Sequence, residues 1–383
     1  MHLFKKEEKN NYLFNYLDEV GNYKFDEIKF NVIDSLILSI LSYFRFDFMM
    51  NKANKTLTLK EASDIFFLHE ELVSYTANKP YKNTLLKYLA KTNRFKDLIL
   101  FNYRHDLNPI IDRQFGAISI LLDKKTVFIS FRGTDLTLVG VKEDLNMSFQ
   151  KIISSQISAE NYFNLKQYRS FKSIYLGGHS KGGNLAIYSY INAPITLKKK
   201  TKLVFNFDGP GVFDIENESD LNKIVTIVPE MSIIGMILNK RENAIVIDSD
   251  AFGIEQHNPF TWTIKNKRFV LSTYISRTSQ IFNETVKQYF LGLDKKSRED
   301  FITILWELVS STNAKTIPDL KKDIPKQLLK VYDSYKLLDD NEKTLFKRHV
   351  LYIVKLFIHS IRYFENYKEE VPLNDIKNLY DLF

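Results

Sequence analysis

The apolar positions of this chain follow two different rhythms. Through the middle they come as short runs rich in β-branched and aromatic residues: Phe115–Leu122, Thr126–Phe131, Ile174-Tyr175-Leu176, Lys202–Asp208, Lys223–Val228 and Ala244–Asp248. Runs of this length, bounded by Gly, Asp and Lys, predict strands. The first two flank Asp123-Lys124-Lys125 and predict a β-hairpin. Toward both ends the spacing changes to three and four, the helical repeat. Residues 12–110 read as mainly helical, with helices over Asn31–Tyr43, Leu59–Ser74 and Lys82–Thr92. A polar-to-amphipathic helical stretch over Glu143–Arg169 leads into the strand at Ile174, and from Ser279 the pattern is helical to the end, most clearly over Glu299–Ser311 and Lys343–Tyr363. Strands alternating with helices after an antiparallel start predict an α/β fold: a mostly parallel central sheet flanked by helices, with helical N-terminal and C-terminal additions. The expected division is a main domain over 1–320, including the N-terminal helices, and a helical extension over 321–383 packed on it.

Composition narrows this picture. With 383 residues, 44% hydrophobic and 14% aromatic, the chain has enough apolar surface for a substantial core. Cysteine is absent, which excludes disulfides and thiolate chemistry and suits a cytoplasmic location. Met1–Lys9 has no apolar core or cleavage site, and Val32–Phe44 is short and carries Asp34, so neither a signal peptide nor a membrane span is expected. The net charge of +8 comes from lysines spread along the whole chain. The densest cluster, Lys198-Lys199-Lys200 with Lys202, falls where a helix should turn into a strand and reads as a solvated loop; nucleic-acid binding is not expected. Lys347, Arg348, Lys355 and Arg362 stand among apolar residues in the C-terminal helix, a pattern open to peripheral membrane contact, although packing on the core is the simpler expectation.

The chemistry concentrates around Gly177-Gly178-His179-Ser180-Lys181-Gly182-Gly183. Gly178-x-Ser180-x-Gly182, between an apolar run and a helical segment, fits a nucleophile elbow, the sharp turn that holds a serine hydroxyl above a sheet. A serine nucleophile needs a base, an orienting acid and an oxyanion hole. Of the histidines after Ser180, His349 and His359 lie within a helix, while His257 follows the last predicted strand in a loop able to fold back over the strand ends; His257 is the candidate base. Asp208, ending its strand before Gly209-Pro210-Gly211, is the favoured acid, with Glu230, Asp248 and Asp250 as competitors. A structural carboxylate accepting N–H groups from the glycine turn is the other reading of Asp208. The oxyanion hole is expected from the amide of Lys181 and from Thr134 in Phe131-Arg132-Gly133-Thr134, by its amide and its hydroxyl. The Lys181 side chain is left as structural or substrate-facing. No phosphate loop is present, His69-Glu70-Glu71 lacks a second histidine, and Asp248-x-Asp250 does not continue as a calcium loop, so no metal and no cofactor is called for.

Seven segments in order resemble one family: Phe30-Asn31-x-x-Asp34, Leu41-Ser42-Tyr43, Phe131-Arg132-Gly133-Thr134-Asp135, Lys142-Glu143-Asp144-Leu145-Asn146-Met147, the elbow through Ala186, Asn206-Phe207-Asp208-Gly209-Pro210-Gly211, and His257-x-Pro259-Phe260-x-Trp262. Together they are similar to the bacterial lipase-like family known as Mbeg-like proteins, related to class 3 lipases within the α/β-hydrolase fold. The resemblance implies a serine esterase or lipase, with Thr134 at the position of the class 3 oxyanion residue. Asp208-Gly209-Pro210-Gly211 also resembles the turn that carries the acid in lipases whose triad acid follows the earlier strand, while the usual class 3 acid position, near Val228–Ser232, departs from the family pattern in holding no aspartate. The expectation is a hydrolase acting on a lipid or other apolar acyl ester, with Ser180, His257 and Asp208 as triad. In this reading the N-terminal helices and Leu136–Phe149 shape or cover the acyl pocket. The rival is a catalytically weak or inactive scaffold that binds a lipid, membrane or protein partner through its C-terminal helices.

Overall fold

The computed structural model describes residues 12–50, 55–69, 79–213, 218–238 and 244–364. The N-terminal segment Met1–Lys9, the end of the helix expected to reach Ser74, Glu70 and Glu71, and the extension beyond residue 364 lie outside the described residues.

Eight strands form one sheet in chain order: β1 (Leu57–Thr58), β2 (Ile99–Asn108), β3 (Arg113–Asp123), β4 (Thr126–Phe131), β5 (Ser173–His179), β6 (Thr201–Phe207), β7 (Ile224–Pro229) and β8 (Ala244–Ile247). Neighbours from β1 to β4 are antiparallel and those from β4 to β8 are parallel. The fold is therefore α/β with a mostly parallel sheet, as the strand and helix pattern implied. The hairpin at Asp123-Lys124-Lys125 and the strands after it fall within a few residues of their expected places.

The strand β2 corrects the reading of 12–110 as mainly helical. Its residues Ile-Leu-Phe-Asn-Tyr-Arg-His-Asp-Leu-Asn do not alternate cleanly because the pairing with β3 shifts between Phe101 and Arg104, where Asn102 takes a φ of 49°. The bulge inserts a residue and so breaks the period of two that a strand shows in sequence. The helical stretch expected over Glu143–Arg169 is two helices, Leu138–Asn146 and Ser154–Phe163, separated by an irregular segment.

Strand order decides where the helices go. Right-handed crossovers between parallel strands laid down in sequence all pass over the same face of a sheet. That face is covered by the helices Ser154–Phe163 and Lys181–Ile191, packed on Val127, Ile129, Phe131, Leu176 and Val204. The alternate residues Phe128, Leu203, Phe205 and Phe207 point to the other face, which no crossover can cover. The N-terminal helices supply that missing layer. The helix Val32–Leu41 lies across β4–β6 and is buried along its whole length, its polar residues Asp34, Ser35 and Ser39 included. Asn31 and Asp34 cap its start reciprocally. Asp34 also receives Arg94 at 2.5 Å and Tyr16 at 2.9 Å, all within the core. Arg94 further donates to the Ile28 carbonyl at 2.8 Å, tying the N-terminal layer together around one mutually dependent ion pair.

At the C-terminal end, helices over Arg277–Gly292, Lys295–Ser310, Ile324–Leu337 and Asp340–Phe364 pack together and meet the main body beside β4. There Leu138 donates to the Lys315 carbonyl at 2.9 Å and Ile317 to the Leu136 carbonyl at 2.8 Å. The last helix buries Leu345, Phe346, Tyr352 and Leu356 against its neighbours but exposes Leu351, Val354, Phe357 and Ile358. Among the described residues no helix is long and apolar enough to cross a membrane.

Candidate active site

Parallel strands in register bring their following residues to one edge. Phe131 of β4 lies opposite Gly178 of β5, and His179 of β5 opposite Phe207 of β6. Gly133-Thr134, Ser180 and Asp208 therefore meet at the carboxyl ends of three adjacent strands, the usual place for a site in an open parallel sheet. Ser180 has φ 59° and ψ −137°, a strained conformation for a residue with a side chain, and the helix Lys181–Ile191 starts directly after it. Two glycines make the turn possible. A Cβ on Gly178 would run into the backbone of Gly182, and one on Gly182 into the Phe131 carbonyl. The Ser180 N–H donates to Phe207 at 2.9 Å, and its carbonyl accepts from Gly183 at 2.9 Å, so the strain is held from both sides.

His257 arrives from the loop after β8. Its Nδ1 lies 2.6 Å from Asp208 Oδ2, bridging 49 residues of sequence. The carboxylate only accepts, so Nδ1 carries the proton and Nε2 keeps its lone pair. Asp208 is buried, and its Oδ1 accepts from the Ser232 hydroxyl, which in turn takes the Gly235 N–H at 3.0 Å. The glycine turn does not use Asp208 as its anchor: Asn206 accepts the Gly209 N–H at 3.0 Å and donates to the Gly209 carbonyl at 2.9 Å. Of the competing carboxylates, Glu230 takes the Ser272 hydroxyl at 3.1 Å instead. His349 is buried between Tyr289 and Ser297, at 2.9 Å from each, far along the C-terminal helix. The His257 loop is fixed by Gln256, which accepts from Met231 N–H at 2.8 Å, and by Trp262, whose ring N–H donates to the Gln256 carbonyl at 2.7 Å.

Ser232 and Gln256 were not expected from the sequence, and neither was His179. Its ring lies against that of His257, with centroids 4.6 Å apart. The His179 Nε2 sits 2.8 Å from the His257 carbonyl and its Nδ1 2.9 Å from the Tyr43 hydroxyl. A carbonyl only accepts, so Nε2–H donates to it and Nδ1 takes the Tyr43 proton. Burial, then the neighbouring His257 and Lys82, hold the pKa of His179 well below its usual range, keeping it in this neutral form. The residue before Ser180 thus packs against the His257 ring while Asp208 holds its Nδ1 edge.

On the other side of Ser180, the N–H groups of Lys181 and Thr134 have no partner among the described residues. Lys181 opens the helix directly after Ser180, and Thr134 lines the same cavity as Ser180. The Thr134 hydroxyl is committed elsewhere: it donates to Asp144 at 2.6 Å, so Thr134 offers its amide and not its hydroxyl. The Lys181 side chain is structural rather than substrate-facing. It is buried, with Glu143 at 2.8 Å and Asp144 at 3.6 Å. Burial works to lower its pKa, but Asp144 and Glu143 outweigh it and keep the ammonium above its usual range. Glu143 also accepts the Gln114 and Ser155 N–H groups, clamping the helix Leu138–Asn146 to the elbow. Arg132 is buried, 2.6 Å from Nδ1 of His105, whose pKa is pushed down to about 4 by burial and by that guanidinium.

Ser180 borders two cavities. One, of about 290 Å³, is apolar, lined by Val141, Leu145, Met147, Ile234, Ile237 and Phe290 among others. The other, of about 240 Å³, is the more polar of the two: Thr134, His179, His257, Lys82, Glu255 and Asn258 line it together with Tyr43, Ile40, Ile254 and Pro259. Both the N-terminal region and the segment 136–149 thus contribute walls. A larger groove of about 760 Å³ lies at the amino ends of β4 and β5, beside Thr126 and Tyr175, and contains none of the candidate residues. Among the described residues no group of three or more His, Cys, Asp or Glu is arranged to hold a metal ion.

No curated protein and no solved structure matches the chain. The sequence model of the Mbeg1-like family matches residues 89–307, a span from before β2 to within the helix Lys295–Ser310 that includes Thr134, Ser180, Asp208 and His257. It covers more than half of the 383 residues, and the chain belongs to the Mbeg1-like family.

Proposed function

We propose that the protein is a serine hydrolase that cleaves carboxylic esters with an apolar acyl group. The observation that carries this reading is the hydrogen bond from His257 to buried Asp208, set at the strand edge beside the strained Ser180. Ser180 attacks the ester carbonyl while His257 Nε2 takes its proton; the Lys181 and Thr134 amides hold the oxyanion. Collapse breaks the ester C–O bond, His257 returns the proton to the leaving alcohol, and water then releases the acid by the reverse sequence. The Ser180 hydroxyl and His257 are not hydrogen-bonded among the described residues, but they line one cavity, and such contacts tighten when substrate binds.

Treatment with a fluorophosphonate is expected to label Ser180, identified by peptide mapping, and His257→Ala is expected to abolish the labelling. A folded wild-type protein that stays unlabelled would remove the basis for this reading.

A second activity rests on a separate observation. On the helix Asp340–Phe364 the exposed residues Leu351, Val354 and Ile358 share a face with Lys347, Lys355 and Arg362. We infer that this face docks on an anionic membrane surface, where apolar burial and charge attraction add. Co-sedimentation with vesicles containing phosphatidylserine should fall at least about fivefold in Leu351→Glu/Val354→Glu/Ile358→Glu, and fall at high salt in the wild type. Equal binding by wild type and variant, or none by either, would count against it.

A further inference from the structure

The two cavities at Ser180 differ in chemistry, and the reaction itself assigns one to each half of the substrate. This argument rests on the serine-hydrolase reading. The base that takes the Ser180 proton must deliver it to the leaving oxygen, so the leaving alcohol lies on the His257 side. His257 borders only the polar cavity of the two, and the apolar one is left for the acyl chain.

A lysine stands in that polar cavity. Lys82 is 6% exposed, and its ammonium lies 3.7 Å from the ring centroid of Tyr43, the residue that holds His179. Among the described residues the ammonium has no carboxylate partner. A buried cation with no carboxylate in contact is costly to the free protein; Asp135 acts on it only from beyond ion-pair distance, and an aromatic face offsets only part of the cost. An anion from the substrate would complete it. Glu255 borders the same cavity but is exposed, so its charge is screened by water while that of Lys82 is not.

We propose that the leaving alcohol of the substrate carries an anionic group, a phosphate or a carboxylate, which pairs with the Lys82 ammonium. Lys82 is then the residue that sets leaving-group specificity, and Ser180 and His257 perform the same chemistry on any ester that fits. The groups that bear on Lys82 are Arg132 and Asp135 after β4, His179 at the end of β5, Tyr43, and Glu255 and His257 in the loop after β8. Burial, reinforced by Arg132, brings the Lys82 pKa down to about 7. The ammonium is therefore lost as pH rises through neutrality, and pairing with an anion restores it.

The test compares matched esters on the full chain: 1-octanoylglycerol 3-phosphate against 1-octanoylglycerol, and O-octanoyl-lactate against O-octanoyl-lactamide. One pair separates phosphate from no charge, the other carboxylate from amide. The wild type is expected to prefer at least one anionic ester by about tenfold or more in kcat/KM, mainly through KM. Lys82→Gln should bring the ratio near one by raising KM for the anionic esters; Lys82→Arg should keep part of the preference. For the lactate pair, whose charge is constant across neutrality, the preference should shrink from pH 6 to pH 8. Presenting 1-oleoylglycerol 3-phosphate in phosphatidylcholine vesicles tells a membrane-borne source from a soluble one. A wild type that labels with fluorophosphonate but treats both pairs equally overturns the proposal and leaves the hydrolase reading standing. A preference that survives in Lys82→Gln overturns the role of Lys82. Absence of both labelling and turnover in the wild type removes the hydrolase reading first. If Lys82→Gln loses labelling as well, Lys82→Met replaces it in the comparison, because its apolar chain fits the Tyr43 face.

Discussion

Ser180→Ala is expected to lower kcat/KM for a short-chain ester by about 10⁴- to 10⁶-fold and to leave the melting temperature within about 2 °C of the wild type. The two parts of this expectation have different origins. Among the described residues the Ser180 hydroxyl makes no hydrogen bond, so its removal breaks no native contact. The strained backbone is unaffected, because alanine has the same Cβ and meets the same conformational cost at φ 59°. All of the loss should therefore fall on the chemical step, read out by steady-state kinetics beside thermal melting. A variant that keeps more than a tenth of the activity would show that another group attacks the ester. A drop of more than about 5 °C would show that the hydroxyl supports the fold in solution.

How much of this was legible in sequence depends on how local each cause is. The elbow could be read directly, since the glycine positions are a steric requirement among neighbours: Gly178 and Gly182 are four residues apart and face each other across the turn. The hairpin and the parallel strands were legible because β-branched and aromatic runs carry their own signal. β2 was not, because a bulge between Phe101 and Arg104 breaks its alternation. The N-terminal helices were visible as helices. Their role as the second layer follows only from a strand order that places every crossover on one face.

At the site, the sequence favoured Asp208 for its place at a strand end but left Glu230, Asp248 and Asp250 as competitors. The contact that separates them joins segments 49 residues apart and depends on the path of the His257 loop. The expectation that the Thr134 hydroxyl joins its amide at the oxyanion fails because that hydroxyl donates to Asp144 at 2.6 Å, a contact between residues ten apart that the sequence does not show. Lys82 was hidden for another reason. In a chain with 54 Lys and Arg residues, a buried lysine looks like any other. Only packing against Tyr43 sets it apart.

The second large effect is expected at the acid. Asp208→Asn should lower kcat/KM by about 10³- to 10⁴-fold while the protein stays folded. The reason lies in the two partners of the carboxylate. Ser232 gives its only hydroxyl proton to Asp208 Oδ1 and uses its oxygen to accept from Gly235 at 3.0 Å. An asparagine side chain is held by the same hydroxyl, which needs an acceptor, so its oxygen turns toward Ser232. Its NH₂ group then faces Nδ1 of His257, where the aspartate oxygen was 2.6 Å away. Two donors cannot share that contact, so the imidazole proton moves to Nε2, the atom that receives the Ser180 proton in the proposed reaction. The base is then present but in the wrong tautomer. Nitrogen-15 NMR of the histidine ring distinguishes this from mere loosening, since only a tautomer change exchanges the protonated and unprotonated ring nitrogens. Asp208→Ala should behave differently, losing stability as well, because the Ser232 hydroxyl is left buried without an acceptor. Activity within about tenfold of wild type in Asp208→Asn, with the His257 tautomer unchanged, would mean that Asp208 does not set the protonation state of the base.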